Sequence, residues 1–158
     1  MKNKLLFLSL VCVFGTLLTS CKKEIDLRED VVGTYDFIET GSVPIYNGKT
    51  LVTTLSMDNL GIFVVEKLGN GIGIRITGDV DTMDGTLNLD KTFTFMPNQT
   101  TTYKDGVKTE ITFDYKNAYY MNNKIHWTTD VSVIYTTSSG SSGGNGVLTL
   151  EAFKKVTR

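Results

Sequence analysis

Cysteine is nearly missing from this chain: of 158 residues only Cys12 and Cys21 carry a thiol. Histidine and tryptophan occur once each, as His126 and Trp127, and proline twice, as Pro44 and Pro97. Cys12 lies inside an apolar leader and Cys21 at its end, so a folded domain beyond them has no thiol for a nucleophile, a zinc site or a disulfide. A lone histidine needs an orienting partner and a nucleophile to act as a base, and no Gly-x-Ser-x-Gly elbow accompanies His126. Gly69-x-Gly71-x-Gly73 is not followed by a helix that could lend its N-terminus to a phosphate. Basic runs are absent as well, with 16 lysines and arginines against 17 acids, which excludes nucleic acid as a partner. No catalytic residue, metal site or cofactor is expected, and the chain is not expected to be an enzyme.

The longest apolar run, Leu5 to Leu18, is about 14 residues, short of the roughly 20 that cross a bilayer. Lys2 and Lys4 precede it and Lys22, Lys23 and Glu24 follow, the layout of an export signal. Leu18-Thr19-Ser20-Cys21 resembles the bacterial lipobox, with small residues that admit the signal peptidase and a cysteine that takes up lipid. The resemblance implies cleavage before Cys21 and a membrane anchor on its sulfur. Lys22, where an aspartate usually marks inner-membrane retention, points to the outer membrane, on its periplasmic face or at the cell surface. Residues 1–20 thus read as signal peptide, 21–30 as lipidated cysteine and tether, and 31–158 as a single domain. Loss of the leader takes the basic count from 16 to 14 and the net charge to −3.

From Val31 onward the apolar period is close to two, which predicts strands. Lys49–Met57, Gly61–Lys67, Gly71–Gly78, Val107–Lys116, Lys124–Thr136 and Val147–Lys154 are the clearest. Asp105-Gly106 and Asn122-Asn123 suit two-residue hairpin turns, and Asp58-Asn59 and Asp84-Gly85 also read as turns. Ser138–Gly146, rich in serine and glycine, reads as a mobile loop. The expected fold is all-β: an antiparallel up-and-down meander of eight or nine strands, closed into a barrel or folded as a sandwich. In the penultimate strand Trp127 shares a parity with Ile125, Val131, Val133 and Tyr135, so it is expected to point inward.

Val32-Gly33-Thr34-Tyr35 resembles the Gly-x-Trp opening of lipocalin-like and calycin-like barrels, with tyrosine in the tryptophan's place. The end of the chain, Leu148-Thr149-Leu150 running into Lys154-Lys155, is similar to the closing strand of small lipoproteins with such domains. The resemblance implies a barrel with an apolar interior open at one end.

Phe93, Phe95, Phe113, Tyr115, Trp127 and Tyr135 fall on the apolar parity of their strands. They are the candidate lining of a ligand cavity, or else a filled core. A small apolar or amphipathic ligand is the first functional expectation. The alternative is a surface module for glycan or protein, for which Tyr119-Tyr120-Met121 offers rings near a turn. Asp79, Asp81 and Asp84 are either a solvated acidic turn or oxygen ligands for a cation. Asp81-Thr82-Met83 resembles an O-glycosylation acceptor of exported bacterial proteins, which makes Thr82 a candidate modification site.

Overall fold

The computed structural model describes residues 26–79 and 82–155; the leader, Cys21, the first part of the tether, Val80 and Asp81 lie outside the described residues. Among the described residues one short helix, α1 (Arg28–Val31), leads into nine strands. They are β1 (Gly33–Asn47), β2 (Thr50–Lys67), β3 (Gly73–Gly78), β4 (Thr82–Leu87), β5 (Phe93–Phe95), β6 (Asn98–Lys104), β7 (Val107–Met121), β8 (Lys124–Thr137) and β9 (Gly140–Lys154). All pairings are antiparallel, and the order across the sheet is β5-β4-β3-β2-β1-β9-β8-β7-β6. Every strand therefore pairs with its chain neighbours except at one place, and the first and last strands pair with each other. The result is the expected meander, curled into a half-barrel rather than split into a sandwich. The seam falls between β5 and β6.

The seam is stitched at one end. Thr92 forms an isolated antiparallel bridge to Tyr119, and the Tyr120 amide donates to the Lys91 carbonyl at 2.9 Å. The same end is plugged by the residues before β1. Arg28 is buried, with Nε and Nη2 on the two carboxylate oxygens of Asp26 at 2.9 Å and Nη1 on the carbonyls of Gly69 and Gly73 at 3.1 Å. Lys67 adds a contact to Asp26 at 3.0 Å. The Asp30 carbonyl accepts from the Tyr120 hydroxyl at 2.8 Å and from Lys154 at 2.7 Å. The part of the expected tether from Asp26 onward is thus folded onto the barrel.

Turn chemistry explains two of the hairpins. Asp105 and Gly106 have φ of 52° and 77°, Asn122 and Asn123 of 53° and 62°, the left-handed pair that matches strand twist. A bulge at Asn117 shifts the register of β7 against β8. Before it Phe113 and Tyr115 face inward; after it Ala118 and Tyr120 do.

Three turn or loop assignments are corrected. Asp58 and Asn59 lie within β2, opposite Thr40 and Glu39 of β1, because odd-numbered positions keep facing inward straight through them. Asp84 and Gly85 lie within β4, opposite Arg75 and Ile74. Ser138–Gly146 is no mobile loop: the chain turns at Ser138-Ser139 and Gly140–Gly146 forms the first half of β9, paired with β8 throughout. Its glycines answer a spatial demand. A Cβ on Gly144 would stand 1.7 Å from the Pro44 carbonyl oxygen, and one on Gly146 2.1 Å from that of Ser42. Only glycine lets β9 come this close to β1.

Candidate functional site

The interior holds two packed clusters. One, at the plugged end, is built on Val31, Tyr35, Val65, Ile74, Leu87, Ile125 and Ala152, with Trp127 at its upper edge. The other consists of Val43, Ile45, Val131, Val133 and Leu148, with Ile111, Phe113 and Tyr135 against it. Only the long strands β1, β2, β7, β8 and β9 reach the second cluster. Strands β3, β4 and β5 stop short, and between the clusters a cleft of about 820 Å³ opens above them. That volume lies within the range of small-molecule sites, roughly 300–1,000 Å³.

The mouth is framed by Gly78, Asp79 and Thr82 on one side and by Met96-Pro97-Asn98, the link between β5 and β6, on the other. The walls are aromatic and sulfur-rich: Phe37, Phe63, Phe113, Tyr115, Met57 and Met83. The rings are held by one another. Phe63 stacks on Tyr35 at 5.4 Å, on Phe37 at 5.6 Å and on Trp127 at 5.9 Å, while Tyr115 meets Trp127 edge-on at 6.4 Å. Gly61 makes room for this, since a Cβ there would lie 2.7 Å from the Phe37 ring.

Two polar atoms in this wall are conspicuous. Trp127 and Thr129, adjacent inward positions on β8, both border the cleft and are 5 % and 2 % exposed. Neither the indole Nε1 nor the Thr129 Oγ1 has a hydrogen-bond partner among the described residues. Such atoms are uncommon, because an unsatisfied buried donor costs about 1–3 kcal/mol.

The carboxylates lining the cleft are Glu39, Asp79 and Asp84; no lysine, arginine or histidine lines it among the described residues. Asp84 is held from β3 by Arg75, Nε to Oδ1 at 2.7 Å and Nη2 to Oδ2 at 2.8 Å, and this contact keeps its carboxyl below the ordinary carboxylate range. Glu39 accepts from the Asn59 amide at 3.0 Å. No three His, Cys, Asp or Glu side chains gather into a metal-holding group among the described residues.

Of the six aromatics singled out in the sequence, Phe113, Tyr115 and Trp127 border the cleft. Phe93 and Phe95 are buried in the plugged-end cluster, stacked at 5.7 Å, with Phe95 edge-on to Tyr115 and Trp127. Tyr135 packs beside the second cluster. Met57 and Phe63 escaped notice because splitting β2 at Asp58-Asn59 hid an unbroken inward row that includes Met57, Gly61, Phe63 and Val65, while Phe37 lies on β1 and Met83 on β4, where Asp84-Gly85 reads as a turn. Thr82 is exposed at the start of β4, beside the mouth. Of the rings near the β7–β8 turn, Tyr120 is buried, whereas Tyr119 is exposed and lies 5.0 Å from the His126 ring on the outside.

No protein-family model and no curated protein sequence matches the chain. Among solved structures it is similar to the S-type phycobiliprotein lyase CPES from Guillardia theta, with 10 % identity and a TM-score of 0.29 over 82 % of this chain and 91 % of that one. That protein is a lyase by name, and the expectation that this chain is not an enzyme is not upheld.

Proposed function

We propose that this is a lipid-anchored envelope protein whose half-barrel holds a small apolar or amphipathic molecule in the cleft between its two core clusters. The observation that carries the reading is the cleft itself: about 820 Å³, walled by Phe37, Phe63, Phe113, Tyr115 and Trp127 and opening between strand ends. A filled barrel of this size would leave no such volume, because interiors pack as densely as organic crystals. The anchor is supported by the charged, apolar and small-residue succession that ends at Cys21, and the outer membrane by Lys22 after it. Thr82 at the mouth is a site where a glycan could be carried on the protein itself.

Both halves of the reading are testable on the full-length protein. In a Gram-negative host fed labelled palmitate, the wild type takes up label and Cys21→Ala does not; label on the variant refutes the anchor. Native mass spectrometry of the purified protein is expected to show a co-purifying small molecule, or uptake of a planar hydrocarbon such as fluorene. Failure to retain any apolar probe refutes the cavity.

A further inference from the structure

We infer that the molecule in the cleft is an amphipathic cation, with its apolar body among the rings and its charged nitrogen on the carboxylate of Glu39. The inference rests on the cavity reading above and deepens it by fixing the charge of the ligand. Glu39 sits mid-strand on β1, on the same inward parity as Phe37, and lines the cleft. Its chain neighbours Ile38 and Thr40 are exposed on the outer face, whereas Glu39 is half-buried and so remains open to a molecule in the cleft. Across the ladder it stands opposite Asn59 of β2 and Leu150 of β9. Asn59 lines the cleft too, and its side-chain amide donates to Glu39 Oε2 at 3.0 Å, which holds the carboxylate against the wall.

The lining decides the charge of the ligand. An inward carboxylate beside Phe37, Phe63 and Leu150 gives up part of its hydration, and a charge in such surroundings calls for an opposite one. No lysine, arginine or histidine lines the cleft, and neither Glu39 nor Asp79 forms an ion pair, among the described residues; of the three acids only Asp84 is matched, by Arg75. Asn59 brings a neutral amide. A carboxylate or phosphate ligand would add a further unmatched negative charge, and a neutral one would leave Glu39 as it stands. A cationic nitrogen matches it, and the faces of aromatic rings attract such a nitrogen as well. The cation is organic rather than a metal ion, since no three acidic, histidine or cysteine side chains gather to hold a metal among the described residues. Acids alone would mark only a polar rim; set in the wall of an aromatic cavity of about 820 Å³, they select the charge of what enters.

The test uses three probes with one ring system: 1-pyrenemethylamine, 1-pyrenemethanol and 1-pyrenecarboxylate. Retention by the full-length protein in non-ionic detergent micelles is measured at neutral pH by equilibrium dialysis against empty micelles. The amine, protonated at that pH, is expected to bind about 10-fold tighter than the alcohol, the gain from one charge-assisted hydrogen bond, and the carboxylate more weakly than either. Glu39→Gln keeps the shape and an acceptor for Asn59, and should lower the amine's affinity about 10-fold while leaving the alcohol's unchanged. Glu151→Gln removes the same charge from the exposed outer face of β9 and should leave all three affinities unchanged, which separates a local contact from net charge. Raising the salt from about 0.05 to 0.5 M should narrow the amine's lead over the alcohol in the wild type, a reading that needs no variant to fold. Equal binding of amine and alcohol, preference for the carboxylate, a lead that salt does not narrow, or an amine affinity indifferent to Glu39→Gln overturns this inference and leaves the cavity standing. Retention of none of the three overturns both.

Discussion

Gly144 of β9 lies so close to Pro44 of β1 that a methyl group in place of its hydrogen would stand 1.7 Å from the Pro44 carbonyl oxygen. The contact draws the first half of the closing strand against the first strand, beyond the point where their regular register ends near Ser42 and Val147. Gly144→Ala is therefore expected to destabilise the protein by about 1–3 kcal/mol, the usual cost of overpacking. Ser141→Ala, at an exposed position of the same strand, should leave stability unchanged. Thermal unfolding of the two variants decides it; equal midpoints would mean that the strand is not held there.

The sole tryptophan reports on the interior directly. Trp127 is buried among Phe63, Phe95 and Tyr115, so its emission should be blue-shifted and poorly quenched by acrylamide. Trp127→Ala should cost about 3–5 kcal/mol, measured by denaturant titration. Native emission like that of indole in water would contradict the inward face of β8.

Acid should loosen the plug. Arg28 first and Lys67 second hold the Asp26 carboxyl well below the usual carboxylate range, and Arg75 does the same for Asp84. These groups bind protons less tightly folded than unfolded. Their contribution is therefore complete above about pH 4 and fades as pH falls toward their folded values. The melting temperature is expected to drop below about pH 4, more gently in 1 M salt and in Asp26→Asn. Superimposable curves for wild type and Asp26→Asn would refute this.

Alkali probes the same end through another group. The Tyr35 hydroxyl donates to the Val31 carbonyl at 2.6 Å, and burial pushes its phenol well above the ordinary value. Folded Tyr35 holds its proton more tightly than unfolded, so this stabilisation is full below about pH 10 and is lost as pH rises beyond it. Tyr35→Phe should cost about 1 kcal/mol at neutral pH and fall off less steeply in alkali. A variant as stable as wild type at pH 7 would show that the bond contributes nothing.

Much of the meander is readable in the sequence because its signals are local. Asp105-Gly106 and Asn122-Asn123 announce their turns through the φ values they tolerate, and β8 announces its faces through strict alternation. What escapes a reader of the sequence is set by distant partners. The glycines between Gly140 and Gly146 look like slack until β1 is laid beside them. Arg28 looks solvated, and only the carbonyls of Gly69 and Gly73, more than forty residues away, make it a plug. Asp58-Asn59 has the composition of a turn, yet its pairing with β1 carries the strand through. The cleft is the least legible feature, because it exists where three short strands end and no residue marks a volume.

The six-residue β3 has the Arg28 plug at Gly73 and the cleft mouth at Gly78. Under the proposed function, attachment and exchange would therefore fall to opposite ends of this strand. Five residue steps separate Cys21 from Asp26, about 17 Å at full extension, so a lipid on Cys21 would hold the plugged pole near the bilayer and turn the mouth away from it. Cargo would then be traded with whatever lies across the aqueous space, not drawn up from the membrane beneath. Spin-labelled lipid headgroups should accordingly relax NMR signals near Lys91 more strongly than those near Asn98.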